Sequence, residues 1–133
     1  MGSPTIPEKY RSLFSSKAFA HMATVMPDGT PQVTPVWVDL DGERLLVNSS
    51  LGRVKDRNLR ANPAVAIEVP DPDNPYRYVS VRGRVVAFRE DGATEHIHKL
   101  ARRYMGVDKY PYLKPGMRRV IYEIEPVSVH TAG

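Results

Sequence analysis

The chain contains no cysteine. That removes disulfide scaffolds, cysteine nucleophiles, iron–sulfur ligation and cysteine zinc sites from consideration. No apolar run approaches the roughly 20 residues that a membrane-spanning helix needs, and the opening residues do not read as a secretory leader. Familiar catalytic signatures are missing too. There is no G-x-G-x-x-G, no phosphate-loop lysine motif and no serine framed as a nucleophile elbow. His96 and His98 stand two apart on an expected helix, so they point to different sides and cannot form the i, i+4 pair a metal wants. They read as solvated helix residues, and no metal site is expected. Asp39 and Asp41 flank a turn and read as turn chemistry, not as a carboxylate pair. His21 reads as a satisfied, half-buried strand histidine and His130 as a residue near a frayed end. The expectation is a cytoplasmic protein with no side-chain triad or metal cluster of its own.

What is present is one domain's worth of chain. Its 133 residues are enough to bury a core without staples, and 41% hydrophobic against 26% charged residues is an ordinary globular balance. The formal charge is +4, which allows an anionic partner without choosing one. Its distribution is more telling. Arg53, Lys55, Arg57 and Arg60 oppose only Asp56, so most of the excess sits in one short segment. Such concentration suits a compact anion better than a long nucleic-acid track.

The periodicity is mostly that of strands. A short helix is expected near the N-terminus, where Tyr10, Leu13 and Phe14 recur at helical spacing after Pro7. Strands are expected over 18–25 and 32–40, joined by the turn signal Pro27-Asp28-Gly29. Asp41-Gly42 then turns the chain into a strand through Leu45, Val47 and Ser49. Residues 54–61 look helical, and Asn62-Pro63 ends them. A short strand follows over 64–69. The stretch 70–75, with three prolines, reads as a loop. A long strand runs over 76–89, where Gly83 marks a bulge or a close backbone approach. Ile97, Leu100, Ala101, Tyr104 and Met105 define a helix over 93–105, with Gly106 as its cap. Val120, Tyr122 and Ile124 alternate on a last strand that Val127 to His130 extend. The pattern predicts a mainly β fold, a small antiparallel barrel with peripheral helices.

One segment combines the features of an anion site. Asn48-Ser49-Ser50-Leu51-Gly52-Arg53-Val54-Lys55 runs from a strand end, through hydroxyls and a glycine, into a helix start. Free N–H groups and the helix dipole favour an anion there. Gly52 permits close approach, the serine hydroxyls donate, Arg53 offers a planar fork and Lys55 a point charge. On these features alone a phosphate site and a solvated basic helix face remain open.

The segment's wider setting resembles a family. Gly52-Arg53-x-Lys55-x-x-Asn58-Leu59-x-x-Asn62-Pro63 is similar to the cofactor-phosphate motif of the pyridoxamine 5′-phosphate oxidase-like split barrels. These include FMN-binding proteins and reductases that use the deazaflavin coenzyme F420. Ala20-x-x-Ala23-Thr24-x-x-x-Asp28-Gly29-x-Pro31 resembles the family's first hairpin, and Tyr78-Val79-x-Val81-x-Gly83 its long central strand. The likeness covers roughly residues 10–125, with the elements in the same order.

The resemblance implies a single split-barrel domain over 1–133 that forms a homodimer with two cofactor sites at the interface. Arg53 and Lys55 fall on its phosphate-binding positions, with Gly52 between them and the strand-end Ser49 and Ser50. Val36, Trp37 and Val38, after Pro35, fall on the strand beside the cofactor ring, whose edge their backbone groups would bond. Trp37 could equally be a core or interface anchor. Tyr76 and Tyr78 match aromatic positions that face the cofactor held largely by the other subunit. Arg118 and Arg119 could reach cofactor or substrate, or be surface strand residues. The Arg- and Trp-containing C-terminal signature of true pyridoxamine phosphate oxidases is missing, and the Arg53-Val54-Lys55 spacing is nearer the deazaflavin branch. The implied activity is hydride transfer from reduced F420 to an electron-poor small molecule, with no catalytic side chain or proton donor assigned. FMN is the alternative cofactor. Two other readings stay open: a haem or cofactor carrier using His21 or His130, and a basic barrel stacking nucleic acid on Tyr76, Tyr78, Tyr110 and Tyr112.

Overall fold

A computed structural model describes residues 4–133. After a 3₁₀ helix at Glu8–Ser15 come β1 (Ala20–Val25), β2 (Pro31–Val36), β3 (Val38–Asp41), β4 (Arg44–Ser50), α1 (Val54–Ala61), β5 (Ala64–Asp71), β6 (Asn74–Arg89), α2 (Ala93–Met105) and β7 (Arg119–Ala132). The seven strands form one sheet in the order β2-β1-β5-β6-β7-β4-β3. Every neighbouring pair is antiparallel. The two edge strands, β2 and β3, are consecutive in the chain, with Trp37 alone between them. One residue spans only two Cα steps of about 3.8 Å each, so the sheet must curl until its edges meet. The fold is therefore mainly β, a curled antiparallel half-barrel with few helices, as expected.

Burial follows the strand alternation. Leu45 and Val47 of β4, Val79, Val81 and Val85 of β6, and Val120, Tyr122 and Ile124 of β7 point into one core, joined by Tyr10, Leu13 and Phe14 of the 3₁₀ helix. Each such side chain contributes roughly 1.5–3 kcal/mol by leaving water. The opposite face of the β4–β7 pair is also covered. Leu46 and Ile121 meet Ala93 of α2 there, and Ile97, Leu100 and Ala101 of α2 are buried.

Both α-helices span the expected residues. Gly106 ends α2 in the left-handed conformation at φ 71°. Gly83 marks a register shift against β7, where it faces Pro126. A Cβ built there would lie 2.6 Å from the Glu125 carbonyl oxygen, so the glycine is required by a close backbone approach.

Three expectations are corrected. The strand expected over 32–40 is two strands, because the Val38 N–H is bonded by Tyr104 Oη at 3.3 Å and the Val38 carbonyl by Arg103 Nη1 at 3.1 Å. Side chains of α2 thus take the groups that would continue a ladder. The proline-rich 70–75 stretch is not an open loop. Pro70 and Pro75 lie within β5 and β6, at a register shift next to a tight turn where Asp71 accepts the Asp73 N–H at 2.8 Å. The first strand begins at Ala20 rather than at residue 18.

Candidate functional site

The turn from β4 into α1 is built from Gly52 and Asp56. Gly52 takes φ +89°, open to glycine at little strain. Asp56, in the first turn of α1, accepts the Gly52 N–H at 3.1 Å, the Tyr122 hydroxyl at 2.8 Å and Arg60 Nε at 3.1 Å. Burial pushes its pKa up, but the bonds from Gly52, Arg60 and Tyr122 outweigh burial and hold the carboxyl below its ordinary value. Tyr122 moves the other way: burial, and then its bond to Asp56, raise its phenol pKa. Of the four cations around this turn, Arg60 is neutralised by Asp56 and Arg57 donates to the Gly52 carbonyl at 2.6 Å. Arg53 and Lys55 have no carboxylate partner among the described residues.

These two cations border a cleft of about 190 Å³. Arg119 of β7 is the third cation there. Its floor and one wall are Asn48 and Ser49 at the end of β4 and Pro35, Val36 and Trp37 at the sheet closure. Phe19, Ile97, Tyr110 and Tyr112 make the apolar side. The Trp37 ring lies flat on Tyr104 at 5.0 Å and takes the edge of Tyr110 at 6.0 Å. Tyr104 is itself locked: its hydroxyl donates to the Ala18 carbonyl at 2.9 Å, and burial raises its pKa.

Of the residues singled out in the sequence, the structure brings Arg53, Lys55, Ser49, Val36 and Trp37 together in this cleft. Ser50 stands just behind it, its Oγ accepting Arg119 Nη1 at 2.9 Å. Gly52 shapes the turn without lining the cleft. Val38 is fully buried and both its backbone groups are taken by α2, so it is not free to bond a ring edge. Tyr76 is 84% exposed, and Tyr78 packs beside His130; neither reaches the cleft of its own chain. Arg119, weighed as able to reach cofactor or substrate, lines the cleft, as does Asn48 at the head of the anion segment; Phe19, Ile97, Tyr110 and Tyr112 complete it without having been assigned to it. Strand parity carried a signal for Arg119. It shares a face with Ile121, an apolar residue on the non-core side, which means that side is covered.

A second polar cluster adjoins the first and corrects two expectations. Asp39 is not a turn residue but a buried carboxylate, 4% exposed. It accepts His96 Nε2 at 3.1 Å, Lys99 Nζ at 3.1 Å and Arg103 Nη2 at 3.0 Å. Burial raises its pKa, yet those three bonds outweigh burial and leave it well below the usual carboxylate range. His96 is not solvated either: its side chain is 9% exposed and its Nδ1 faces Asn48 Nδ2 at 3.1 Å. His98 accepts the Tyr110 N–H at 3.0 Å and so fixes the aromatic segment over the cleft.

The cleft's electrostatics favour an anion. Burial is the main reason the Lys55 pKa is lowered, and the charges of Arg53 and Arg119 lower it further. Burial likewise lowers that of Arg119. Such a cluster of unpaired cations becomes favourable once a negative group sits among them. Ser49 borders the cleft at the end of β4, while its hydroxyl, on the side of the strand that carries Leu45 and Val47, lies against the Tyr122 phenol. A phosphate fits this donor set, and a planar ring fits the aromatic side.

Two other depressions are larger, at about 460 and 400 Å³. The first lies between the β1–β2 turn and α1, and its cation, Arg57, is already bonded to Gly52. The second is an apolar groove over β1, β5 and β6. Arg82 is the one cation on that groove among the described residues, so neither depression gathers several unpaired cations as the cleft does. His21 is paired with Glu68 on the surface and His130 packs on Tyr78, so neither histidine faces the cleft. The four tyrosines weighed as a stacking platform are divided, since only Tyr110 and Tyr112 line the cleft.

The curled antiparallel sheet falls within one family: the chain belongs to the pyridoxamine 5′-phosphate oxidase family, which it matches over residues 6–132. Among solved structures it is similar to an F420 reductase, with 43% identity, 94% of this chain and 98% of that one covered, and a TM-score of 0.81. A conserved hypothetical protein of Mycobacterium tuberculosis shares the fold at 22% identity, covering 98% of this chain and 86% of that one, with a TM-score of 0.74. General stress protein 26 of Bacillus anthracis does so at 18% identity, with coverages of 94% and 92% and a TM-score of 0.68.

Proposed function

We propose that this protein is a flavin- or deazaflavin-dependent oxidoreductase, and specifically a reductase using coenzyme F420. The observation that carries the reading is the convergence of Arg53, Lys55 and Arg119, all without carboxylate partners among the described residues, beside an aromatic wall. The 43% identity with an F420 reductase supports the deazaflavin over FMN.

When bound, the reduced coenzyme supplies a hydride for an electron-poor small-molecule acceptor, and the protein supplies binding and orientation. Arg53 and Lys55 would hold the coenzyme's phosphate, with Ser49 at the strand end beside them. Trp37, braced flat against Tyr104, limits where a planar ring can lie. Tyr110, Tyr112 and Phe19 exclude water from the apolar side. Displacement of the reacting atoms by even about 1 Å is costly in rate, so this rigid frame is the protein's main contribution. Tyr104 is not a proton donor in this reading, because its hydroxyl is already committed to Ala18.

The reading includes a second copy of the chain. Tyr76, Val33 and Val127 are 84%, 63% and 58% exposed, and Val127 borders the apolar groove over β1, β5 and β6. A homodimer covers such surface and can bring Tyr76 and Tyr78 to its partner's cleft. The deciding experiment is equilibrium titration of the purified protein with F420 and with FMN, alongside sedimentation. Micromolar or tighter F420 binding to a dimer is expected. Preference for FMN replaces the coenzyme, and binding of neither ends the reading.

A further inference from the structure

We infer that Asp39 and His96 are positioning residues that act through Asn48 to hold the Arg119 guanidinium in the cleft with its charge uncancelled. The inference rests on the proposed cofactor site only for the identity of the anion.

The links run across four elements. Asp39 on β3 accepts His96 Nε2 from α2 at 3.1 Å. His96 Nδ1 faces Asn48 Nδ2 on β4 at 3.1 Å. Asn48 Oδ1 accepts Arg119 Nε from β7 at 2.9 Å, and Ser50 Oγ accepts Arg119 Nη1 at 2.9 Å. Each link dictates the next. An ionised carboxylate only accepts, so His96 carries its proton on Nε2 and offers Nδ1 as an acceptor. Asn48 must then turn its NH₂ to His96, and it also donates to the Ala93 carbonyl at 2.8 Å. Its carbonyl is left facing Arg119, whose Nε can only donate. No other orientation of Asn48 satisfies all three neighbours.

The choice of groups is informative. Arg119 is 6% exposed and has no carboxylate within bonding distance among the described residues. A buried cation left in that state is unfavourable for the fold alone. Two groups that carry no negative charge, an imidazole and an amide, stand between it and the Asp39 carboxylate. They fix the guanidinium as firmly as an aspartate at position 48 would, without neutralising it. Nε and Nη1 are tied, and the Tyr110 side chain packs on the guanidinium at 5.2 Å; none of these neighbours is a carboxylate, so the charge stays uncancelled for an anion.

The test compares Asn48→Asp, His96→Leu and His96→Gln in titrations with F420, FMN and inorganic phosphate, together with the Arg119 Nε–Hε resonance in nitrogen-15 spectra. Asn48→Asp keeps an acceptor on Arg119 and cancels its charge, while giving up the donor to His96 and Ala93; it should weaken anion binding about tenfold or more while Arg119 stays ordered. His96→Leu should weaken it similarly and expose the Arg119 Nε–H to exchange. His96→Gln, whose amide can donate to Asp39 and accept from Asn48, should stay within about threefold of the parent protein. Wild-type affinity in Asn48→Asp, or a Gln variant as weak as the Leu variant while fully folded, overturns the inference. If the parent protein binds neither coenzyme, the proposed function fails on its own. The relay is then judged on phosphate affinity and the Arg119 resonance: loss of both in His96→Leu supports it, and no change in either overturns it.

Discussion

Two clusters of positive charge lie side by side in this protein and are handled in opposite ways. Around Asp39, the side chains of His96, Lys99 and Arg103 converge on a single buried carboxylate that satisfies all of them. In the cleft, Arg53, Lys55 and Arg119 converge on no carboxylate at all. The first arrangement pins α2 to the sheet closure, since Arg103 also bonds the carbonyls of Phe14 and Val38. The second contributes little to the fold and is explained by what it can bind. Residue type alone does not separate structural from functional cations here; the presence or absence of an acidic partner does.

Disrupting the first cluster should have the largest effect. Arg103→Leu removes bonds to Phe14, Val38 and Asp39 and should lower stability by about 3 kcal/mol in urea unfolding, with coenzyme affinity of the folded protein changed far less. Lys55→Ala should do the reverse. Anion affinity falls about tenfold, about 1.4 kcal/mol, while the melting temperature holds or rises, because an unpaired half-buried charge is gone. Unchanged affinity for both coenzymes would remove Lys55 from the site. Tyr122→Phe tests the bracing of the turn that carries Arg53 and Lys55. Losing the bond to Asp56 should reduce stability by about 1 kcal/mol and loosen the start of α1, with a smaller drop in affinity than Lys55→Ala gives.

The smallest effect is on pH dependence, and it has opposite signs in the two clusters. Asp39 has a lowered folded pKa, so its contribution is complete above the ordinary 3.8 and is lost only as the pH falls below that toward the folded value. Stability should therefore stay level on mild acidification. Lys55 is also lowered, from 10.5, but here the charged form is the one an anion needs. Affinity should be full below the lowered value and decline as the pH rises through it, before free lysine would titrate. A titration series from neutral to alkaline pH checks this, and its decline should vanish in Lys55→Ala.

The sequence was most legible where a local rule decided the outcome. Helical spacing and caps gave α1 and α2 to the residue, and Gly83 announced the close approach of Glu125. It misled where tertiary partners overrode local chemistry. Nothing near Trp37 predicts that Tyr104 and Arg103, far along the chain, will capture the backbone of Val38 and split a strand. Asp39 looked like turn chemistry because its three partners, His96, Lys99 and Arg103, come from one distant helix. Half of the cleft was readable for a similar reason. Arg53, Lys55 and Ser49 belong to one continuous motif, whereas Arg119, Tyr110 and Phe19 arrive from separate parts of the chain and are joined only by folding.

The lone tryptophan at the seam gives the sheet no slack. Since residue 37 both stitches the two outermost strands together and forms a wall of the cleft, adding or deleting a single residue there would shift a neighbouring strand by a half-turn of its pleat. A shift of that kind would exchange inward and outward side chains and reshape the cavity in the same event. The aperture's width can accordingly be tuned by changing the bulk of one side chain, but not by changing the length of the chain at that point.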